Sequence, residues 1–372
     1  MLRIIRLIRT WKLPAAMIIG VLLYYLFDAI MPEMEMRNGF YYVISHIFQP
    51  ALIFSMLLLS FLKVEPRNLK PHRWHGVLLL TQGALFVFFS LCAMNVGNLP
   101  EPLSQSLLRC GITQSSLKLI FEGAMLCFIC PTATASAVIV QKLGGSLSGD
   151  VTYLVLCNLM VSLLAPAFLT LVEPHPGLDF LTEFFMIMGK VFPLLLCPLF
   201  VALIIRHYSP RLKAWLLAIP DLAFYMWLVA LALAITVTVR TIVESRTSLS
   251  ILLSLALVSA VCCVIQFRLG RKIGRRWPQP RTVLHSSSSH HDNTAPSSPQ
   301  SRSTYTHIAD INERSAVTAG QAFGQKNTVF IIWMGLVFLN PVTSVVGGFY
   351  SLWHNIINSR QLYKREKSLL DK

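Results

Sequence analysis

Two short segments hold the residue types that could do chemistry inside an otherwise apolar chain. The first is Cys130-Pro131-Thr132-Ala133-Thr134-Ala135-Ser136. Proline removes a backbone hydrogen bond and clashes with the preceding turn, so Thr132, Thr134 and Ser136 can offer hydroxyls either to freed carbonyls or to a ligand. The plainer reading is a proline kink whose hydroxyls bond back to their own helix. The second is Gly320-Gln321-Ala322-Phe323-Gly324-Gln325-Lys326-Asn327-Thr328. It gathers Gln321, Gln325, Lys326 and Asn327, and an ionisable residue inside a membrane marks a functional site by default. The competing reading is a lysine that snorkels to the interface. If the bilayer began at Val329, however, Val329–Asn340 would be too short for a core of about 30 Å at about 1.5 Å per residue. The polar stretch is therefore expected within the membrane.

The elements that must position these segments follow from composition. Of 372 residues, 54% are hydrophobic and 13% charged, whereas soluble domains carry about 25% charged residues. Apolar runs long enough to cross a bilayer must be helical, because lipid satisfies no backbone group. The hydropathy pattern predicts an all-α membrane protein of ten helices: 13–31, 43–62, 75–94, 118–141, 151–172, 180–205, 213–238, 248–267, 319–338 and 341–359. The expected layout is a first five-helix half over 1–172, helices six to eight over 173–267, a solvated Ser/His-rich linker over 268–318, and the last two helices with a basic tail over 319–372. The linker's composition gives it too little apolar surface to order itself. Its His290 and His291 read as solvated rather than metal-binding.

The net charge of +15 is concentrated between apolar runs, as in cytoplasmic loops rather than a nucleic-acid surface. Basic and acidic loops alternate so that both termini face the cytoplasm, in an inner (plasma) membrane. Met1–Lys12 reads as a lead-in to the first helix and not as a cleaved signal. The eight cysteines fall mostly inside apolar runs, and Cys127 and Cys130 read as small buried residues rather than a redox pair.

The polar breaks fall in the fourth helix of each group of five. Five is odd, so two such halves that both begin inside must be inverted. Matching interrupted helices in two inverted halves point to a transporter binding site. The half-helix N-termini would favour an anion.

Cys130-Pro131-Thr132-Ala133-Thr134-Ala135-Ser136, leading on to Leu163-Leu164-Ala165-Pro166, is similar to the Cys-Pro-Gly-Gly-x-x-Ser-Asn signature and following helix of the bile acid:sodium symporter family. Gln82 and Gln325–Thr328 are weaker matches. The resemblance implies a core domain in which helices four and nine cross at their broken centres. It also implies a panel of helices one, two, six and seven, and organic-anion substrates often driven by two sodium ions. On this resemblance Ser136 corresponds to a sodium-site serine and Asn158 to a sodium-ligating threonine, while Gln82 and Gln325 correspond to ligands of the second ion. The chain departs from the family at Ala137, at Gln321 in place of a sodium-bridging glutamate, and at Lys326, which has no counterpart. A neutral glutamine and an added cation would repel sodium, so Lys326 is expected to take the place of one ion. Lys190 and Asp221 fall on the implied panel helices, where they read equally as substrate-facing charges or as a structural pair. His46, beside Gln49 and Pro50, is a further cavity candidate or a satisfied buried histidine.

The sequence thus predicts a secondary transporter of a small or amphipathic organic anion, working by alternating access. It calls for no cofactor apart from sodium as a candidate coupling ion, and for no partner beyond the substrate and the bilayer. The alternative is a membrane sensor or scaffold of the same fold without transport. An intramembrane enzyme is disfavoured: there is no HExxH, no pair of intramembrane aspartates and no Gly-x-Ser-x-Gly. Substrate, direction and oligomeric state are left open.

Overall fold

The computed structural model describes residues 2–31, 33–109, 111–219, 222–278 and 300–370, and their side chains except those of 2–14, 300–310, Leu103, Leu107, Leu369 and Leu370. Among the described residues the fold is all-helical with no strand. The first half holds α1 (Leu2–Ile30), α2 (Met34–Val43), a π turn (Ile44–Phe48), α3 (Gln49–Lys63), α4 (Arg73–Met94), α5 (Glu101–Arg109), α6 (Gln114–Ile129), α7 (Ser136–Lys142) and α8 (Leu147–Val172). The second holds α9 (Phe180–Tyr208), α10 (Pro210–Ala218), α11 (Leu222–Glu244), α12 (Leu249–Arg276), α13 (Gln300–Gly324), α14 (Thr328–Phe338) and α15 (Val345–Leu370).

Six helical stretches are long and apolar enough to cross a membrane: Met34–Lys63, Arg73–Met94, Leu147–Val172, Phe180–Tyr208, Leu222–Glu244 and Leu249–Arg276. Ala15–Ile30 and Thr328–Phe338 are shorter apolar helices. Helix starts follow their caps: Thr113, Ser146 and Asp179 accept from the backbone N–H groups of Ser116, Gly149 and Thr182 at 3.1, 3.2 and 3.2 Å, satisfying donors that a helix start leaves free.

The observed boundaries correct the sequence expectation in two places. The run expected over 213–238 is divided into α10 and α11. Ile219 precedes Pro220 and takes an extended conformation (φ −77°, ψ 111°), the region to which a following proline confines a residue. The segment 268–318 is helical at both ends, as α12 runs to Arg276 and α13 begins at Gln300; residues 279–299 lie outside the described ones. The breaks expected within 118–141 and 319–338 are present: α6 and α7 flank the first, α13 and α14 the second.

The helicity of so polar a segment as 311–320 has a packing cause. A Cβ on Gly270 would meet the Ala319 carbonyl oxygen at 2.5 Å, and one on Gly320 would meet the Arg271 Cγ at 2.5 Å; Gly274 is equally tight against the Ser315 carbonyl. Small residues four apart let α12 and α13 approach backbone to backbone, the usual source of helix association in lipid. Arg271 and Arg275 then converge on Glu313, Arg275 at 2.8 Å. On the far side of the bundle α1 lies against α11: the Thr236 hydroxyl donates to the Gly20 carbonyl at 2.8 Å.

Candidate functional site

α6 stops at Ile129 because Pro131 cannot continue its hydrogen-bond ladder. α13 stops at Gly324, and Asn327 opens α14 by accepting from the Phe330 N–H at 3.2 Å. The two gaps face each other. Residues 131–133 and 325–327 run antiparallel, with Thr132 bridged to Lys326. The Ala133 N–H donates to the Gln325 carbonyl at 2.8 Å, and the Asn327 N–H donates to the Pro131 carbonyl at 2.9 Å. Irregular backbone is tolerated at membrane depth only where protein or water satisfies it, and here each break satisfies the other.

Side chains complete the crossing. The Thr132 hydroxyl donates to the Ala322 carbonyl at 2.6 Å, the Cys130 thiol to the Asn327 carbonyl at 3.0 Å, and the Tyr350 hydroxyl to the Gly324 carbonyl at 2.8 Å. From α4, the Gln82 amide donates to the carbonyls of Ile129 and Cys130, each at 3.3 Å, and accepts from the Tyr153 hydroxyl at 2.7 Å. From α12, Gln266 donates to the Cys127 carbonyl at 3.2 Å. Gln82→Leu strips a donor from two carbonyls at the end of α6 and the acceptor from a buried tyrosine. Unmet buried groups cost about 1–3 kcal/mol each, so a clear drop in melting temperature is expected in detergent, with Gln82→Glu closer to wild type than Gln82→Leu.

On one side of the crossing lies a cavity of about 730 Å³. Thr134 and Gln325 line it at the crossing, Phe224 and Trp227 along its wall, and Lys63 and Lys142 among the helix ends opposite. Among the described residues no acidic side chain lines it. Its size suits a drug-sized molecule, and apolar walls with a few polar groups are what such sites present.

The structure brings only some of the expected residues to this cavity. Thr134 and Gln325 reach it; the Gln325 Oε1, on a side chain 2% exposed, has no hydrogen-bond partner among the described residues. Thr132, Asn327 and Gln82 hold the crossing together. Ser136 turns away, its hydroxyl donating to the buried Asp150 carboxylate at 2.7 Å. Asn158 donates to the Leu195 carbonyl on α9 at 3.2 Å. Gln321 donates to Asn358 and Gln361 of α15, each at 3.1 Å. Lys326 is fully buried; its ammonium lies 4.9 Å from the centre of the Phe323 ring, with no hydrogen-bond acceptor among the described residues. The snorkelling alternative does not describe this lysine.

The peripheral candidates fare differently. Lys190 is exposed, 5.6 Å over the Phe338 ring, and does not line the cavity. His46 is neither a cavity residue nor buried: it is exposed in the π turn and stacked on Tyr42 at 4.0 Å. The turn absorbs the missing donor of Pro50 and leaves His46 facing outward. Asp221 lies outside the described residues. Sequence reasoning missed Asp150, Lys63 and Lys142, each of which sits where a helix begins or ends and so reads as an ordinary boundary residue.

Sodium needs several hard oxygen ligands around one point. Gln82 spends its oxygen on Tyr153, Gln321 points to α15, Asn158 donates toward α9, Ser136 donates to Asp150, and a buried ammonium occupies Lys326. The oxygens of Asn158, Gln321 and Gln325 have no hydrogen-bond partner among the described residues, while those of Gln82 and Ser136 are engaged by Tyr153 and Asp150 and the fully buried Lys326 stands at the crossing. No family model matches the sequence, and no curated protein matches it, so the functional reading rests on the crossing and its cavity.

Proposed function

We propose that this protein is a secondary transporter of an organic anion, related to the bile acid:sodium symporters, that exposes the crossing of its two interrupted helices to each side of the membrane in turn. In this reading the bundle is ten spans in two inverted five-helix repeats. α4, α6–α8 and α12–α15 form a core, and α1–α3 and α9–α11 form a panel that rocks against it. Basic loops face the cytoplasm. The observation that carries the reading is the antiparallel pairing of residues 131–133 with 325–327 beside an acid-free cavity. A break in two packed helices is costly in lipid, and bilayer-depth irregularity of this kind is used where solute must be reached.

Lys326 supplies the positive charge that a coupling cation would otherwise bring to the crossing, so transport needs no sodium. The test is flux into proteoliposomes of the purified full chain, using labelled taurocholate, naphthalene-2-sulfonate and pyruvate with and without sodium. Saturable, sodium-independent uptake of at least one anion is expected. Saturable binding without any flux would favour a sensor with the same fold and overturn transport.

A further inference from the structure

The cavity's cations and its two polar side chains from the helix crossing sit in different settings, and Ser60, Gln141, Asn355, Asn358 and Ser359 add neutral polar groups to its lining. At the crossing stand Thr134 and Gln325, both neutral and both buried. At the mouth stand Lys63, the last residue of α3, and Lys142, the last residue of α7. Both lysines are exposed, and neither has a carboxylate within 4.0 Å among the described residues. Trp227, Ile139 and Leu352 are among the apolar residues of the same lining. The buried ammonium of Lys326 does not line the cavity, so it offers a ligand there no direct contact.

We propose that Lys63 and Lys142 are the specificity-determining pair that reads the negative charge of the transported anion, at the mouth rather than at the crossing. The proposal rests on the transport reading and refines it. A carboxylate or sulfonate at the mouth stays partly hydrated and meets two unpaired ammonium groups. The same charge driven to the crossing would lose its water and meet neutral groups such as the Thr134 hydroxyl and the Gln325 amide but no cation, and burying an unpaired charge is far more costly than leaving it wet. The apolar body then lies along the Trp227 wall, and an uncharged polar group at its far end can meet the unpartnered Gln325 oxygen. A molecule of this form, with one anionic end and an apolar body, fits the space better than a small keto acid, which would leave most of about 730 Å³ unfilled.

The test is equilibrium binding to the purified full chain of two matched probes, naphthalene-2-sulfonate and the neutral 2-naphthylmethanol. The wild type is expected to prefer the sulfonate. K63E/K142E should weaken sulfonate binding about tenfold or more and leave the alcohol unchanged, because charge at a partly wet site mainly discriminates between partners. K63Q/K142Q should fall between, K63R/K142R should match the wild type, and K272E, on α12 away from the cavity, should have no effect. Melting temperatures separate loss of binding from loss of fold, and added salt should shrink the wild type's preference. Sulfonate affinity unchanged in folded K63Q/K142Q, parallel loss of both probes, or no sulfonate binding by the wild type would each overturn the assignment. Lysine-dependent binding without flux would leave this pair standing and sink transport; flux indifferent to the lysines would do the reverse.

Discussion

Gly270→Leu is expected to unfold the bundle or leave it too unstable to purify. The position tolerates no side chain, because a single Cβ would already sit 2.5 Å from the Ala319 carbonyl oxygen and 2.9 Å from the Gly320 Cα. Both obstacles are backbone and cannot rotate aside. Relief requires α12 and α13 to separate, which breaks the close packing that holds helices together in lipid and draws Arg271 and Arg275 away from Glu313. Overpacking of a tight interior costs about 1–3 kcal/mol and at times more; a backbone obstacle on both sides puts this case at the upper end. The loss should appear in size-exclusion profiles and thermal melts in detergent. Gly76→Leu, on α4 with nothing near its missing Cβ, should behave as wild type. Equal tolerance at both positions would show that α12 and α13 do not pack as described.

Lys326→Met should do two opposite things: raise the melting temperature and abolish flux. The side chain is fully buried, and its ammonium has an aromatic face at 4.9 Å and, among the described residues, no carboxylate within 4.0 Å. A cation–π contact of this kind returns about 2 kcal/mol when desolvated, less than the several kcal/mol that burying the charge costs. Methionine keeps most of the volume and removes the charge, so stability should rise by about 1–3 kcal/mol, in line with other buried charges replaced by apolar residues. Such residues are kept for activity at the expense of stability. A lysine that merely packs predicts the opposite pair of results, lower stability with flux retained. Lys326→Arg is the control for charge: its guanidinium is larger and cannot give up its proton, so partial flux in that variant would tie transport to fixed charge, and none to the compact ammonium.

The breaks were legible in the sequence, though only one for the expected reason. Pro131 stops α6 by simple backbone chemistry. In the second break Gly320 and Gly324 serve close contact with Arg271 and Phe267, and the interruption begins one residue after Gly324. Asn327 marks the restart because it caps α14. The antiparallel bridge itself joins residues almost two hundred positions apart, a relation that no local pattern contains. Asp150 and Glu122 stayed hidden because a single acid scarcely alters the mean hydropathy of its run; both are buried, bonded to Ser136 and Thr343 respectively. Polar composition misled at 311–318, where α13 is held by small residues fitted against α12, Ser315 and the adjoining Ala319 and Gly320, rather than by an apolar stripe. The two cavity lysines were visible only as loop charges, since their sharing one cavity depends on how the ends of α3 and α7 are placed by the fold.

Accessibility of the crossing from the two sides of the membrane tests the central claim most directly. Thr134→Cys, in a chain otherwise freed of cysteine and reconstituted in one orientation, places a thiol on the cavity at the crossing. A membrane-impermeant maleimide should label it from the side of Lys63 and Lys142, and transported anion should slow that reaction while opening labelling from the opposite side. Labelling confined to one side under every condition would contradict alternating access and leave a one-sided binding pocket in its place.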